Sequence, residues 1–138
     1  LMDRYGLLEP VKALAASGKP LLGTCAGMIL MAKKIEAGIK GQPSLALMDI
    51  AVERNAFGRQ VDSFEADLDF RGINGGPVRA VFIRAPIIKS TGKEVQVLAT
   101  HDGRIVAAQQ GRMLALSFHP ELTTDPRVHR YFLSLGES

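Results

Sequence analysis

Hydrophobic residues recur along the chain with two different spacings, and together these spacings predict an α/β protein. Apolar residues three and four positions apart over 1–16 indicate an amphipathic helix, which Gly18 and Pro20 end. Strict alternation over 63–70 (SFEADLDF) indicates a half-buried strand. Further strands are predicted at 20–24, 48–53, 78–83, 94–100, 104–109 and 113–118. A second helix is predicted from the 23–27 turn to about Ile35, and a third is predicted after Thr124–Pro126.

The order of these elements predicts a single domain over residues 1–138. A strand–helix front half leads into a strand-rich centre, and the chain closes on a helix. Glycine and proline place loops at 36–44 and 72–77, and a polar segment places another at 54–60. We therefore expect an α/β fold with strand 20–24 central in its sheet and the middle hairpins at one edge.

The connection between the first strand and the helix after it carries the only cysteine. Gly23-Thr24-Cys25-Ala26-Gly27 stands where a buried strand must turn sharply into a helix, which is the arrangement of a nucleophile elbow with sulfur in place of oxygen. Glycine suits such a turn because it tolerates crowding and positive φ. At the start of a helix we expect the thiol pKa to be lowered, which favours the reactive thiolate.

Composition narrows the alternatives for this cysteine. A lone cysteine in an apolar setting can instead be a small buried hydrophobe. One cysteine excludes an intramolecular disulfide and a multi-cysteine metal site, and it suits a reducing cytoplasmic setting. The net charge of +3 is scattered and no apolar run is long enough for a membrane span, so we expect neither nucleic-acid nor membrane binding.

A cysteine nucleophile needs a base, and the chain offers His101, His119 and His129. His101 stands beside a predicted turn and is expected to face solvent, while His129 is expected on the surface of the closing helix. His119 follows the apolar strand 113–118, and Glu121 stands two residues later, where it can orient the imidazole. The alternative for this segment is a loop that merely ends a strand.

Several stretches together resemble the class I, triad-type glutamine amidotransferases. The chain is most similar to the vitamin B6 branch, whose members are the glutaminase subunits of pyridoxal 5′-phosphate synthase. The resemblance implies a flavodoxin-like three-layer sandwich with a mixed sheet and a central elbow strand. The matching stretches are GTCAGM at 23–28, VERNAFGRQVDSFEADL at 52–68, VFIRAP at 81–86, GRIVAAQQG at 103–111 and SFHPELT at 117–123.

The resemblance assigns catalytic roles to four positions. It implies that Cys25 attacks the side-chain carboxamide of glutamine, that His119 shuttles the proton, and that Glu121 orients His119. It also implies that the backbone N–H of Ala26 supplies half of the oxyanion hole, where donors stabilise the developing negative charge.

Three further positions match glutamine contacts in the family, namely Arg54, Ile83 and Arg84. A free α-carboxylate needs a cation, and arginine binds a carboxylate with two parallel hydrogen bonds. The alternative for each arginine is a solvated surface charge or an ordinary salt bridge.

The family also implies a partner and the absence of a cofactor. Its glutaminases need no metal or organic cofactor, and they pass ammonia to a synthase barrel that builds pyridoxal 5′-phosphate. They are typically weak until the synthase binds and completes the oxyanion hole. We therefore expect a subunit interface near the mouth of the elbow, and L-glutamine as substrate.

The chain departs from the family pattern at its start. Family members begin with a strand, a helix and a PGGEST loop that gives the second oxyanion donor, and nothing here matches that loop. We expect that a family N-terminal segment precedes Leu1, since a molecule beginning there would lack part of its sheet and half of its site.

Two other functions stay open from the sequence. One is a class I glutaminase serving another synthase, such as those for GMP, CTP, carbamoyl phosphate or histidine, against which the 54–60 and 81–86 stretches argue. The other is a non-catalytic module that keeps the fold and docks to a partner, against which the complete set Cys25, His119 and Glu121 argues.

Overall fold

The computed structural model describes residues 8–36, 45–54 and 63–136 of the chain. The predicted helical residues 1–7 and most of the predicted loops at 36–44 and 54–60 lie outside these ranges. The helices are α1 (Leu8–Ala16), α2 (Ala26–Met31) and α3 (Arg127–Leu135), with a 3₁₀ turn at Pro120–Leu122. The strands are β1 (Leu21–Thr24), β2 (Ala32–Glu36), β3 (Met48–Glu53), β4 (Ser63–Leu68), β5 (Val78–Ile83), β6 (Ile87–Thr91), β7 (Gln96–His101), β8 (Arg104–Gln110) and β9 (Met113–Leu116).

Most of the described strands form one mixed sheet. Its order is β1-β9-β8-β6-β3-β2, and β7 also pairs with β8. The pairs β1–β9 and β2–β3 are parallel, whereas β8 is antiparallel to its neighbours β6, β7 and β9. The parallel register of Thr24 with Leu116 places the carboxyl ends of β1 and β9 side by side. The segments that follow these two strands therefore begin at the same edge of the sheet.

The strand that leads into the cysteine turn is not central among the described strands. We expected it in the middle of the sheet, but β1 pairs only with β9 and stands at the end of the described order. Its residues Leu21, Leu22 and Gly23 also line an apolar cavity of about 190 Å³, together with side chains from α1 and α2. Within the described ranges, β1 therefore pairs with another strand on one edge only.

Strands β4 and β5 form a separate two-stranded sheet, which we call the ribbon. Its antiparallel register sets Phe64 directly opposite Phe82. Cross-strand aromatic pairs stabilise a two-stranded sheet, but such a sheet needs further packing to be stable in water. The ribbon obtains it through Phe82 and its neighbours, which join the hydrophobic core of the main sheet.

The core consists of two clusters of buried side chains. The larger one joins the ribbon and α3 to the main sheet and contains the buried rings of Phe70, Phe82 and Phe118. The smaller one joins α2 to β2 and β3 and contains Met28 and Met48. Burying one such side chain contributes about 1.5–3 kcal/mol to stability. None of the described helices has the length and hydrophobicity required to cross a membrane.

The predicted α3 is confirmed, whereas the helix predicted after the cysteine turn was too long and one strand, β6, was not predicted. The helix expected to continue to Ile35 ends at Met31, and 32–36 forms β2 instead. Its sequence AKKIE is compatible with a helix, but pairing with the edge of β3 overrides that weak local preference. Strand β6 was missed because its two buried isoleucines are adjacent, so its five residues show no alternation.

The two glycines that flank the cysteine turn should respond in opposite ways to alanine. A Cβ at Gly23 would lie 2.4 Å from Met31 Sδ and 2.8 Å from the Gly27 backbone, whereas a Cβ at Gly27 meets nothing within 4 Å. We expect Gly23→Ala to lower the free energy of unfolding by about 2 kcal/mol through overpacking. Gly27→Ala lies in a helix, and we expect it to leave stability unchanged or raise it by about 0.5–1 kcal/mol. Urea denaturation measures both, and equal effects would contradict this packing.

Candidate active site

Cys25 lies on the sharp turn between β1 and α2. Its φ of 49° and ψ of −106° place it in a region that non-glycine residues rarely adopt. The turn is held by the Cys25 N–H, which donates to Leu116 O at 2.9 Å, and by the Cys25 carbonyl, which accepts from the Ile29 N–H at 3.2 Å. The positive φ was expected at the glycines, but it falls on the cysteine itself, as it does at the serine of a nucleophile elbow.

His119 and Glu121 complete a hydrogen-bonded chain with the thiol. His119 Nε2 lies 3.0 Å from Cys25 Sγ, and His119 Nδ1 lies 2.8 Å from Glu121 Oε2. The main chain of His119 is fixed by its N–H, which donates to Val81 O on the ribbon at 2.9 Å. Because a carboxylate can only accept, Glu121 keeps the proton of a neutral imidazole on Nδ1 and leaves the Nε2 lone pair facing the thiol.

The thiol also has a second acceptor that the sequence did not reveal. The single proton of the thiol can be donated either to His119 Nε2 or to the carbonyl oxygen of Ser117, which lies 2.9 Å from Cys25 Sγ. Ser117 is fully buried, and its own N–H donates to Val106 O at 2.8 Å. Since the acceptor is a backbone carbonyl, no residue type could have indicated it in advance.

The surroundings of Cys25 favour the neutral thiol. Burial, reinforced by the negative charge of Glu121, raises the pKa of Cys25 to about 11. The lowered pKa expected from the start of a helix was therefore wrong, because burial and the charge of Glu121 both raise the pKa of the thiol. The thiol consequently needs a base within hydrogen-bonding distance, and His119 occupies that position.

Glu121 has a pKa below its ordinary value although part of its environment acts in the other direction. Burial acts to raise the pKa of this carboxyl. A hydrogen bond from its own backbone N–H and the hydrogen bond from His119 lower the pKa, as does electrostatic attraction to His119 and His129 whenever these rings are protonated, and together these contributions outweigh burial. Glu121 is thus negatively charged at neutral pH, as an orienting acceptor must be.

Glu121→Gln should change the thiol and the reaction in opposite directions. Removing the negative charge should lower the pKa of Cys25, so the rate of alkylation by iodoacetamide should reach its midpoint at a lower pH than in the unchanged protein. The same variant should release ammonia from glutamine about 10²–10⁴-fold more slowly, because the neutral amide no longer stabilises the imidazolium and can donate to Nδ1, which favours the wrong tautomer. A midpoint that rises, or does not move, would contradict the electrostatic effect of Glu121 on the thiol.

The thiol opens into a cavity of about 370 Å³ that gathers the other predicted site residues. Arg54, Ile83 and Arg84 line it together with Cys25 and Ala26. Ile83 is 41% exposed although it ends a strand with a buried face. Arg84 has a φ of 46°, so two of the four described non-glycine residues with positive φ, Cys25 and Arg84, line this one cavity. Strained backbone of this kind clusters at functional sites.

The remaining two histidines are not part of this hydrogen-bonded chain. His101 was expected to face solvent, but its side chain is only 24% exposed because it packs against the ribbon. His129 lies on α3 and is partly buried, so its expected surface position is only partly right. Within the described ranges, no group of three or more His, Cys, Asp or Glu side chains is placed to hold a metal ion.

Comparison of the sequence with a family model shows which known proteins the chain resembles. Residues 1–137 match the model described as the SNO glutamine amidotransferase family. The chain belongs to that family. It is 60% identical over 135 residues to "Pyridoxal 5'-phosphate synthase subunit PdxT" of Geobacillus thermodenitrificans, covering 98% of this chain and 68% of the relative. It is 58% identical to the protein of the same name from Geobacillus kaustophilus, covering 98% of this chain and 67% of that relative.

A solved structure confirms the fold of this family member. A crystal structure of a glutamine amidotransferase superposes with a TM-score of 0.91 at 48% identity, covering 99% of this chain and 71% of that one. The predicted α/β fold and the predicted family are thus confirmed. The match extends over nearly the whole chain, so it includes the cysteine turn and the segment that carries His119.

Proposed function

We propose that this chain is the glutaminase subunit of a pyridoxal 5′-phosphate synthase, hydrolysing L-glutamine to L-glutamate and ammonia for vitamin B6 biosynthesis. The observation that carries the proposal is the Cys25–His119–Glu121 chain, with contacts of 3.0 and 2.8 Å, at the wall of a cavity that two arginines also line. The names of the relatives support the same function.

The first half of the reaction transfers a proton and forms a thioester. His119 Nε2 removes the proton of the Cys25 thiol as Sγ attacks the carboxamide carbon of glutamine. The backbone N–H of Ala26, at the first position of α2, stabilises the negative charge that develops on the carbonyl oxygen. The imidazolium then gives its proton to the leaving nitrogen, so ammonia departs and a γ-glutamyl thioester on Cys25 remains.

The second half returns the enzyme to its starting state. Water gives a proton to His119 Nε2 and attacks the thioester carbon, and collapse of the intermediate breaks the carbon–sulfur bond. Cys25 regains its proton from the imidazolium, and glutamate leaves. Glu121 stays ionised throughout and stabilises the imidazolium in both halves, which its lowered pKa favours.

The arginines of the cavity are proposed to select glutamine by its free α-carboxylate. Arg54 and Arg84 line the same cavity as Cys25, so a bound glutamine could place its α-carboxylate against the cations and its carboxamide against Sγ. Arg84 follows directly after β5, and its positive φ directs the chain out of the strand beside the exposed Ile83.

The proposed partner is the barrel subunit of the synthase, which would receive the ammonia. The cavity that contains Cys25 is open to solvent at Ala26 and Arg84, both of which are exposed. A second subunit that covers this mouth would keep ammonia from the solvent and would supply missing stabilisation of the oxyanion. We expect the free glutaminase to be weak for the same reason.

Ammonia release from glutamine, measured with and without a pyridoxal 5′-phosphate synthase barrel subunit, tests the proposal. We expect release to rise sharply when that subunit is added. Activation by the synthases for GMP, CTP or carbamoyl phosphate instead would assign the chain to another glutaminase branch. Failure of Cys25 to react with a glutamine-like affinity label, even in the presence of every partner, would indicate a non-catalytic docking module.

A further inference from the structure

His101 is a partly buried imidazole that the reaction proposed above does not use. It ends β7 in the main sheet, and its ring centroid lies 5.3 Å from that of Phe64 and 5.9 Å from that of Phe82. The ring planes are inclined by 30° and 28° respectively, so the imidazole packs against both phenyl rings in an inclined stack. Phe64 and Phe82 are themselves stacked, with centroids 4.7 Å apart.

These contacts matter because side-chain packing is a main determinant of where the ribbon lies. Among the described strands, β4 and β5 form no backbone pairing with the main sheet. Phe82 meets the main sheet through His101 on one side and through Phe118, with centroids 5.7 Å apart, on another. Aromatic rings in such contact fix their relative orientation more strictly than aliphatic groups do.

The position of the ribbon in turn sets two parts of the candidate active site. Residues Ile83 and Arg84, directly after Phe82, line the cavity beside Cys25. Val81, directly before Phe82, holds the main chain of His119 through its carbonyl oxygen at 2.9 Å. A shift of Phe82 would therefore move the glutamine-facing wall and strain the hydrogen bond to His119.

We propose that His101 is a positioning residue that sets the shape of the glutamine pocket through the stacked rings of Phe64 and Phe82. The flat ring of His101 makes the contacts with Phe64 and Phe82, so a phenyl ring at this position performs the same role. The carboxylate of its neighbour Asp102 lies 3.5 Å from His101 Nε2 and is mostly exposed. The expected change in KM rests on the proposed glutaminase activity, whereas the packing role of His101 does not.

The kinetic test compares His101→Ala and His101→Phe in the complex with the synthase subunit, using ammonia release as the readout. For His101→Ala we expect KM for glutamine to rise about tenfold, because the pocket wall shifts, while kcat falls by less than about threefold. The split is expected because Ile83 and Arg84 move with the ribbon, whereas the segments that carry Cys25 and Glu121 follow β1 and β9 of the main sheet. The strained bond from the His119 N–H to Val81 O accounts for the small fall in kcat. His101→Phe should restore KM to near the original value, and Thr100→Ala, an exposed change one residue earlier, serves as the control.

A spectroscopic test separates this inference from the proposed function. The backbone amide resonance of His119 in a ¹H–¹⁵N spectrum should shift in His101→Ala and return in His101→Phe, because that amide is bonded to Val81 on the ribbon. An unmoved resonance, an unchanged KM, or a Phe variant as impaired as the Ala variant would overturn the inference. If the unchanged protein releases no ammonia, the proposed function is contradicted. The amide resonance of His119 still tests the positioning role of His101 in that case. If His101→Ala does not fold, His101→Leu, which keeps apolar volume without a ring, takes its place.

Discussion

Cys25→Ala should release ammonia from glutamine at least about 10⁴-fold more slowly than the unchanged protein, with or without the synthase subunit. The loss is this large because no other described side chain on the cavity wall is a nucleophile that could form the thioester. Stopped assays of ammonia, together with a search for the γ-glutamyl adduct by mass spectrometry of quenched protein, measure the effect.

Cys25→Ser is the matched control for that variant. The hydroxyl can still donate its proton to Ser117 O or to His119 Nε2, so the fold and the binding of glutamine should both persist. A Ser variant that folds, binds glutamine and yet releases no ammonia locates the defect in the sulfur chemistry. Substantial hydrolysis by Cys25→Ala would mean that Cys25 is not the nucleophile.

His119→Ala should lower ammonia release by about 10³–10⁴-fold at neutral pH, and the remaining activity should rise with pH. With a pKa of about 11, only about one thiol in ten thousand is ionised at pH 7 when no base removes its proton. The raised pKa means that the thiol stays protonated until the pH approaches 11. Below that value the thiolate fraction, and with it the activity of the variant, should increase about tenfold for each unit of pH.

The pH profile of ammonia release, recorded alongside the unchanged protein, checks this expectation. The unchanged protein should not show the same steep rise, because His119 removes the proton within the complex with glutamine. His129→Ala is the matched histidine control and should retain activity, since His129 makes no contact with the thiol and acts only as a distant charge near Glu121. A flat profile in His119→Ala would mean that the thiol is ionised without this base.

The sequence predicted the site residues better than it predicted the sheet that carries them. The Gly-x-Cys-x-Gly turn and the His-Pro-Glu segment are short and local, so the residue types and the predicted strand ends were enough to select Cys25, His119 and Glu121 as candidates. The structure brings all three into one hydrogen-bonded chain and places Arg54, Ile83 and Arg84 around the same cavity. Their catalytic and binding roles stay predictions until the variants are measured.

The errors fell where distant contacts override local preference. The segment 32–36 is compatible with a helix by itself, and it becomes β2 because β3 offers an edge for pairing. His101 stands beside a turn, which suggested exposure, yet the ribbon covers it. Which strands neighbour β1 depends on residues far away in the chain, so no periodicity within β1 could have indicated it.

By itself the sequence determined the alternation of strands and helices, the sharp turn at the cysteine and the family to which the chain belongs, because each depends on residue types at fixed short spacings. Whether the Cys25 thiol is protonated at neutral pH was decided only by the tertiary structure. The pKa of Cys25 depends on how deeply the turn is buried and on a carboxylate 96 positions further along the chain, and the fold alone brings them together. The same is true of the second acceptor at Ser117 and of the separate ribbon, since both arise from contacts between segments that are far apart in the chain.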